Sequence, residues 1–149
     1  MPDLSANLPD WISQHIEQYL SDPEAAHFWD SSALGGPGIL PTLLLATTGR
    51  KSGEQKMSPL IYKKVGDGYV IIASKGGAPN HPAWYLNLQG DAECEIQVGS
   101  LGLAVTARDA AGEERHSLWD RLAEVYPPYN AYQQTAGDRV IPVVVLEPR

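Results

Sequence analysis

At 149 residues, with a net charge of −7 and one cysteine, the chain reads as a single domain that can bury a core without disulfide staples. The acidic balance argues against general nucleic-acid binding, and no apolar run approaches the ~20 residues of a membrane span. The opening MPDLSANLPD has neither a basic nor an apolar region, so no signal peptide is read and a cytoplasmic location is expected.

Residues 1–9 read as loose. A helix is expected over residues 10–21, capped by Asp10, with Ile12, Ile16, Tyr19 and Leu20 on one face. Its acidic opposite face argues against a helix held on an anionic membrane. Residues 21–41 hold Pro23, Gly35, Gly36, Pro37, Gly38 and Pro41, and are expected to form a connector without regular structure. Residues 1–40 are thus a helix and a connector ahead of the main body. Strands are expected at 42–48, 55–64, 69–73, 93–98, 101–109 and 140–146. Pro59 suggests an edge position or a bulge in the second of these. Short helices are expected at 82–88 and 129–134. The best helix spans 112–125, with Leu118, Trp119, Leu122 and Val125 as its buried stripe. Strands joined mostly by hairpins, with helices between and at the ends, imply a mainly β fold with flanking helices, closed as a barrel.

The cations are unevenly placed. Residues 1–49 contain no Lys or Arg, whereas Arg50, Lys51, Lys56, Lys63, Lys64 and Lys75 fall within one window opposed by Glu54 and Asp67 alone. A local cationic patch on an acidic protein suits a small anionic ligand. For Lys63 and Lys64 the preferred reading is a solvated strand face. The turn ATTGRKSGEQK, residues 46–56, ends a strand with two adjacent cations flanked by Gly49 and Gly53. In isolation it is equally a solvated hairpin.

Familiar sites are excluded by spacing. Arg50 stands where a phosphate loop needs its second glycine, and no G-x-G-x-x-G follows a strand. The four histidines lack metal spacing. Ser74 is in no nucleophile elbow, and Cys94 alternates within a strand as a structural residue would. Three further clusters remain. IASKGG, residues 72–77, ends a strand in Ser, Lys and two glycines. NHPAWYLNL, residues 80–88, sets Trp84 beside Asn87, although a lone Trp is better read as core. YPPYNAY spaces Tyr126, Tyr129 and Tyr132 so that they share a helical face. Such a face suits a flat organic substrate and equally a packing ridge.

Taken together, LLLATTGRKSG, SPLIY, IIASKGG, HPAWYLNL, TARDA, GEER, YPPYNAYQ and IPVVVLEP make residues 41–148 resemble the deazaflavin-dependent nitroreductase family, whose members use coenzyme F420. The resemblance implies a split β-barrel of the flavin/deazaflavin-binding type. It implies that Arg50, Lys51 and Lys56 hold the coenzyme's phosphate and oligoglutamate tail, with Ser52, Met57 and Ser58 along the same groove. It sets Ile72, Ala73, Ser74 and Lys75 beside the deazaflavin ring and Ala83, Trp84, Tyr85, Leu86 and Asn87 on the helix that closes the site. It sets Tyr126, Tyr129 and Tyr132 on the substrate side, where one of them or Ser74 donates a hydrogen bond or proton. The implied reaction is hydride transfer from reduced F420 to a quinone, an enone or a nitroaromatic. Two alternatives stay open: the same barrel working with flavin mononucleotide (FMN), and a non-catalytic F420 carrier. The sequence leaves open a homodimer. Some relatives carry a membrane-associating N-terminus, so peripheral membrane contact stays open too. Lys56 departs from the commoner arginine, which removes bidentate geometry and keeps the charge. Ala83 stands where a larger side chain is often found, and Ile61 offers no hydroxyl.

Overall fold

The structure, a computed structural model, describes residues 10–149. The expectation of a loose segment at residues 1–9 lies outside them. Helix α1 (Asp10–Ser21) and the single turn α2 (Pro23–Ala26) come first, then strands β1 (Phe28–Asp30) and β2 (Ile39–Thr48). Strands β3 (Gln55–Ile61), β4 (Lys63–Val65) and β5 (Gly68–Ile72) follow, then α3 (Ala83–Gly90). Strands β6 (Glu93–Val98) and β7 (Leu101–Asp109), helices α4 (Gly112–Val125) and α5 (Pro128–Thr135), and β8 (Val143–Pro148) complete the order.

The strands form one curled antiparallel sheet in the order β1-β2-β6-β7-β8-β5-β4, with β3 also on β2. Tyr62 alone separates β3, which pairs with β2 from Thr42↔Ile61 to Thr48↔Gln55, from β4, which pairs with β5. The branch on β2 and the β4 end of the strand order therefore meet at one residue. Pro59 is tolerated because β3 pairs through β2 alone, leaving its missing N–H on an edge.

Alternation along the strands sorts the apolar residues into separate cores. The concave face carries Leu43, Leu45, Tyr62, Tyr69, Ile71, Cys94, Ile96, Val105, Val144 and Leu146, and α3 lays Trp84, Tyr85 and Leu88 against them. Burial pushes the Cys94 thiol up to about 11, which keeps it protonated and inert. The convex face of β5 and β8 carries Val70, Ile72, Val143 and Val145, covered by Leu118, Leu122, Tyr126 and Tyr129 from α4 and α5. A smaller cluster sets Ile16, Tyr19 and Ala26 on Leu44 of β2.

The N-terminal unit is tied to distant chain. The Tyr19 hydroxyl donates to Thr42 O at 2.5 Å and accepts from Gly99 N at 3.1 Å. Ser100 donates from its amide and its hydroxyl to the Glu24 carboxylate.

Three expectations need correction. The connector is not irregular throughout: Asp22 caps α2, with its carboxylate accepting from Ala25 N at 3.4 Å, and β1 pairs with Ile39–Pro41. Its Gly/Pro-rich part is the loop of that hairpin. The expected strand 55–64 is broken at Tyr62, where the chain leaves β2 for β5. The last strand begins at Val143 because Pro142 has no N–H and Ile141 N is spent on the Gln133 side chain at 2.9 Å.

Candidate active site

The cationic turn is a closed loop between β2 and β3. Gly49 N donates to Glu54 O at 2.7 Å and Gly53 N to Gly49 O at 2.8 Å, with Gly53 at φ +73°. Arg50, Lys51 and Ser52 are exposed at its tip. Asn87 of α3 fixes the loop from below. Its Oδ1 accepts from Arg50 N at 3.2 Å and from the Arg50 guanidinium at 3.0 Å, and its Nδ2 donates to Thr47 Oγ1 at 3.2 Å. Asn87 is only 3% exposed, so its amide is a buried tie and not a surface contact. Half-buried Lys56 lies 3.6 Å from the Glu54 carboxylate. Lys56 and Ser58 share the β3 face of Leu60, which packs on the concave core. Met57 lies on the opposite face and packs against the Ile16–Tyr19 cluster, so the structure does not bring it to Lys56 and Ser58.

The end of β5 is the second element. Ile72 is directed to the α4–α5 core and Ala73 to the concave core, and Ala73 N is held by Pro142 O at 3.0 Å. The chain then turns sharply through Lys75 (φ +47°), Gly76 (φ +63°) and Gly77 (φ +84°). Lys75 is the one non-glycine residue at positive φ among the described residues. A Cβ on Gly77 would come within 2.9 Å of Tyr132 O, so the missing side chain is what lets α5 approach. Ser74, just ahead of this turn, is half-buried and Lys75 is exposed, with Lys75 Nζ donating to Asn80 Oδ1 at 3.2 Å.

Sequence reasoning missed Arg139, in the loop between α5 and β8. Its guanidinium donates to Ala73 O at 2.9 Å, Ser74 O at 2.7 Å and Ala78 O at 2.9 Å. It also lies 3.2 Å from His81 Nδ1, which must accept because arginine only donates. A lone arginine in TAGDRV carries no motif, and only the topology reveals its partners.

Helix α3 presents Ala83 to solvent, half-buries Leu86, and buries Trp84 and Tyr85 in the concave core. For Trp84 the core reading prevails. The Tyr85 hydroxyl donates to Asp109 Oδ2 at 2.5 Å, and burial is the main reason its pKa rises. The tyrosines of α4 and α5 form one cluster, with ring centroids 4.8 to 6.4 Å apart. Tyr126 and Tyr129 are almost wholly buried, and burial raises both phenols far above the ordinary range. Tyr132 is half-buried, and its hydroxyl lies 2.7 Å from that of Tyr126. Leu34 O lies 3.4 Å from the Tyr126 hydroxyl, so the β1–β2 loop covers this cluster. Two depressions of about 380 Å³ open elsewhere on the sheet, one beside Met57, Glu95 and Gly102 and one beside Tyr85, Arg108 and Asp109.

With this geometry in place, the comparisons with known proteins are specific. A family model described as F420H(2)-dependent quinone reductase matches residues 20–148. A protein of that name from Mycobacterium tuberculosis, Rv1261c, is 36% identical over 144 residues, covering 93% of this chain and 97% of its own. A solved structure of an F420-H2 dependent reductase (FDR-A) is 42% identical and covers 72% of this chain and 94% of its own, with a TM-score of 0.66. Another, described as a domain-swapped dimer, is 37% identical over 93% of this chain and 98% of its own, with a TM-score of 0.69. A match across residues 20–148, joined to near-complete coverage of a relative at 36% identity, makes this chain a member of the F420H(2)-dependent quinone reductase family.

Proposed function

We propose that the protein is an oxidoreductase that uses reduced F420 to reduce a quinone. The family match over residues 20–148 carries this reading. The residues present fit the coenzyme: an exposed Arg50–Lys51 pair on a pinned turn suits a phosphate and a carboxylate-rich tail, and a sharp strand end with small side chains suits a flat ring. Arg50, Lys51, Ser52 and Lys56 hold the anionic part, with Ser58 beside them. Met57 contributes through its backbone, since its side chain faces the other way. Ile72, Ala73, Ser74 and Lys75 border the ring, and Ala83, Trp84, Tyr85, Leu86 and Asn87 form the wall that carries the turn.

When bound, reduced F420 supplies a hydride to an electron-poor carbon or oxygen. The quinone that accepts the hydride also takes up a proton and leaves as the hydroquinone. Ser74 and Tyr132 are the hydroxyl groups that combine partial exposure with nearness to the strand end. Tyr126 stays protonated under burial and supports Tyr132 through the hydroxyl–hydroxyl contact. Tyr129 shapes the same face from beneath. Enones and nitroaromatics share the electron-poor character of quinones and belong to the same acceptor class. The change of partner at Tyr62, from β2 to β5, supports a split β-barrel comprising one domain, and the location that goes with this reading is the cytoplasm, with peripheral membrane contact.

The test is single-turnover oxidation of bound reduced coenzyme by menadione. Acceleration over the free coenzyme is expected, and Arg50→Ala with Lys51→Ala should weaken coenzyme binding by about tenfold or more, most clearly at low salt. Tight FMN binding without F420 binding would instead favour the flavin reading. F420 binding with no acceleration across quinones, enones and nitroaromatics would favour a carrier.

A further inference from the structure

We propose that Arg139 is a positioning residue that sets the backbone of residues 73–75 for the coenzyme; this rests on the reading that the β5 strand end borders the ring. One guanidinium binds the carbonyls of Ala73, Ser74 and Ala78, spanning the whole turn. Within that span three successive residues, Lys75, Gly76 and Gly77, hold positive φ. A lysine in that region costs about 1 kcal/mol, and such a conformation persists only when its surroundings over-determine it. Arg139 does so together with the turn's own bonds, Gly77 N to Ser74 O at 2.9 Å and Ala78 N to Lys75 O at 3.1 Å. Its planar fork matches several carbonyls at once, which a lysine ammonium on a flexible stem cannot reproduce.

The consequence is directional. In a trans peptide the C=O and the following N–H point opposite ways. With the Ala73 and Ser74 carbonyls drawn to Arg139, the N–H groups of Ser74 and Lys75 are aimed to the other side of the strand end. Two fixed amide donors on that side are what a planar ring with carbonyl acceptors requires. Arg139 is itself fixed at its backbone, because its carbonyl accepts from Gln133 Nε2 at 2.7 Å while Gln133 Oε1 accepts from Ile141 N at 2.9 Å. Helix α5, which carries Tyr132, thereby sets the same turn that stands beside Tyr132. The substrate side and the coenzyme side are aligned through one side chain.

The test compares wild type with Arg139→Ala and Arg139→Lys. Hydrogen–deuterium exchange of the coenzyme-free protein should show faster exchange at residues 74–78 in Arg139→Ala, with protection across the β-sheet retained. Hydride transfer to menadione in a single turnover should fall between about 10- and 100-fold, more than the coenzyme affinity does. Millimolar guanidinium should restore part of the rate to Arg139→Ala, a rescue that lost packing does not produce. Arg139→Lys, which keeps the charge and the stem, should fold and still fall short of wild type. Wild-type protein that binds no F420 overturns the functional reading on which the clamp rests. Wild type that binds F420, beside folded variants with unchanged exchange and unchanged transfer rate, overturns the clamp alone.

Discussion

Asn87 decides how the cationic turn behaves, because its buried amide satisfies both the Arg50 backbone and the Thr47 hydroxyl. Asn87→Leu would leave these groups without partners at a cost of about 1–3 kcal/mol. Thermal stability and coenzyme affinity are therefore expected to fall together in this variant, measured by melting and by fluorescence titration. Arg50→Ala with Lys51→Ala, at exposed positions, should lower affinity alone. An Asn87→Leu protein of wild-type affinity would show that the turn needs no support. The cations were legible in the sequence because charge asymmetry survives without a fold. Asn87 was legible as a neighbour of the site but not as its buried tie. Arg139 was illegible, since its partners lie some sixty residues away and are backbone carbonyls together with His81 Nδ1.

The strand end of β5 works as an element because two adjacent glycines have different reasons to be glycine. Gly76 needs only its positive φ, since a side chain there would point into open space, whereas Gly77 also needs the space that Tyr132 O fills. Gly77→Ala should therefore displace α5 or the turn and cost more than about 1 kcal/mol. Gly76→Asn, which tolerates left-handed backbone, should stay within a few tenths of a kcal/mol. Calorimetry of the two variants checks the contrast, and equal losses would mean that the contact with α5 is soft. Helix α4 was legible to its termini, because a long amphipathic period is a strong signal. Strand β1 was not. Three residues carry too little period, and what makes Phe28–Asp30 a strand is its partner Ile39–Pro41. The break at Tyr62 was equally hidden, since it records a change of partner and not a change of residue type.

Across the whole molecule, burial moves two kinds of group in opposite senses. His15 and His81 are lowered from their ordinary value of 6.5, in both cases mainly by burial. A backbone contact to Ala26 opposes the shift at His15, whereas for His81 the Arg139 charge adds to it and Asp109 opposes it. A lowered histidine contributes stability that is present above 6.5 and is lost as pH falls through the folded value. Tyr19, Tyr62, Tyr85, Tyr126 and Tyr129 are raised above 10.0, again mainly by burial. Their contribution is present below 10.0 and is lost as pH rises through the folded values. A melting temperature scanned across pH should thus show a plateau between about 7 and 10 with losses on both sides. His15→Gln should flatten the acid limb, and an unchanged limb would remove His15 from the account. A mainly β fold with flanking helices was legible at this scale from hairpin spacing.

Strand β8 has one consequence for how the protein is made. It is the last strand among the described residues, yet it lies in the interior of the strand order, between β7 and β5. A ribosome releases the chain from its N-terminus at about 5–20 residues per second. Until residues 143–148 emerge, β5 and β7 both present unpaired edges, and the slot between them stays open to any other nascent strand. The sheet is completed by insertion and not by extension, so the growing chain is most exposed to mispairing just before residues 143–148 emerge.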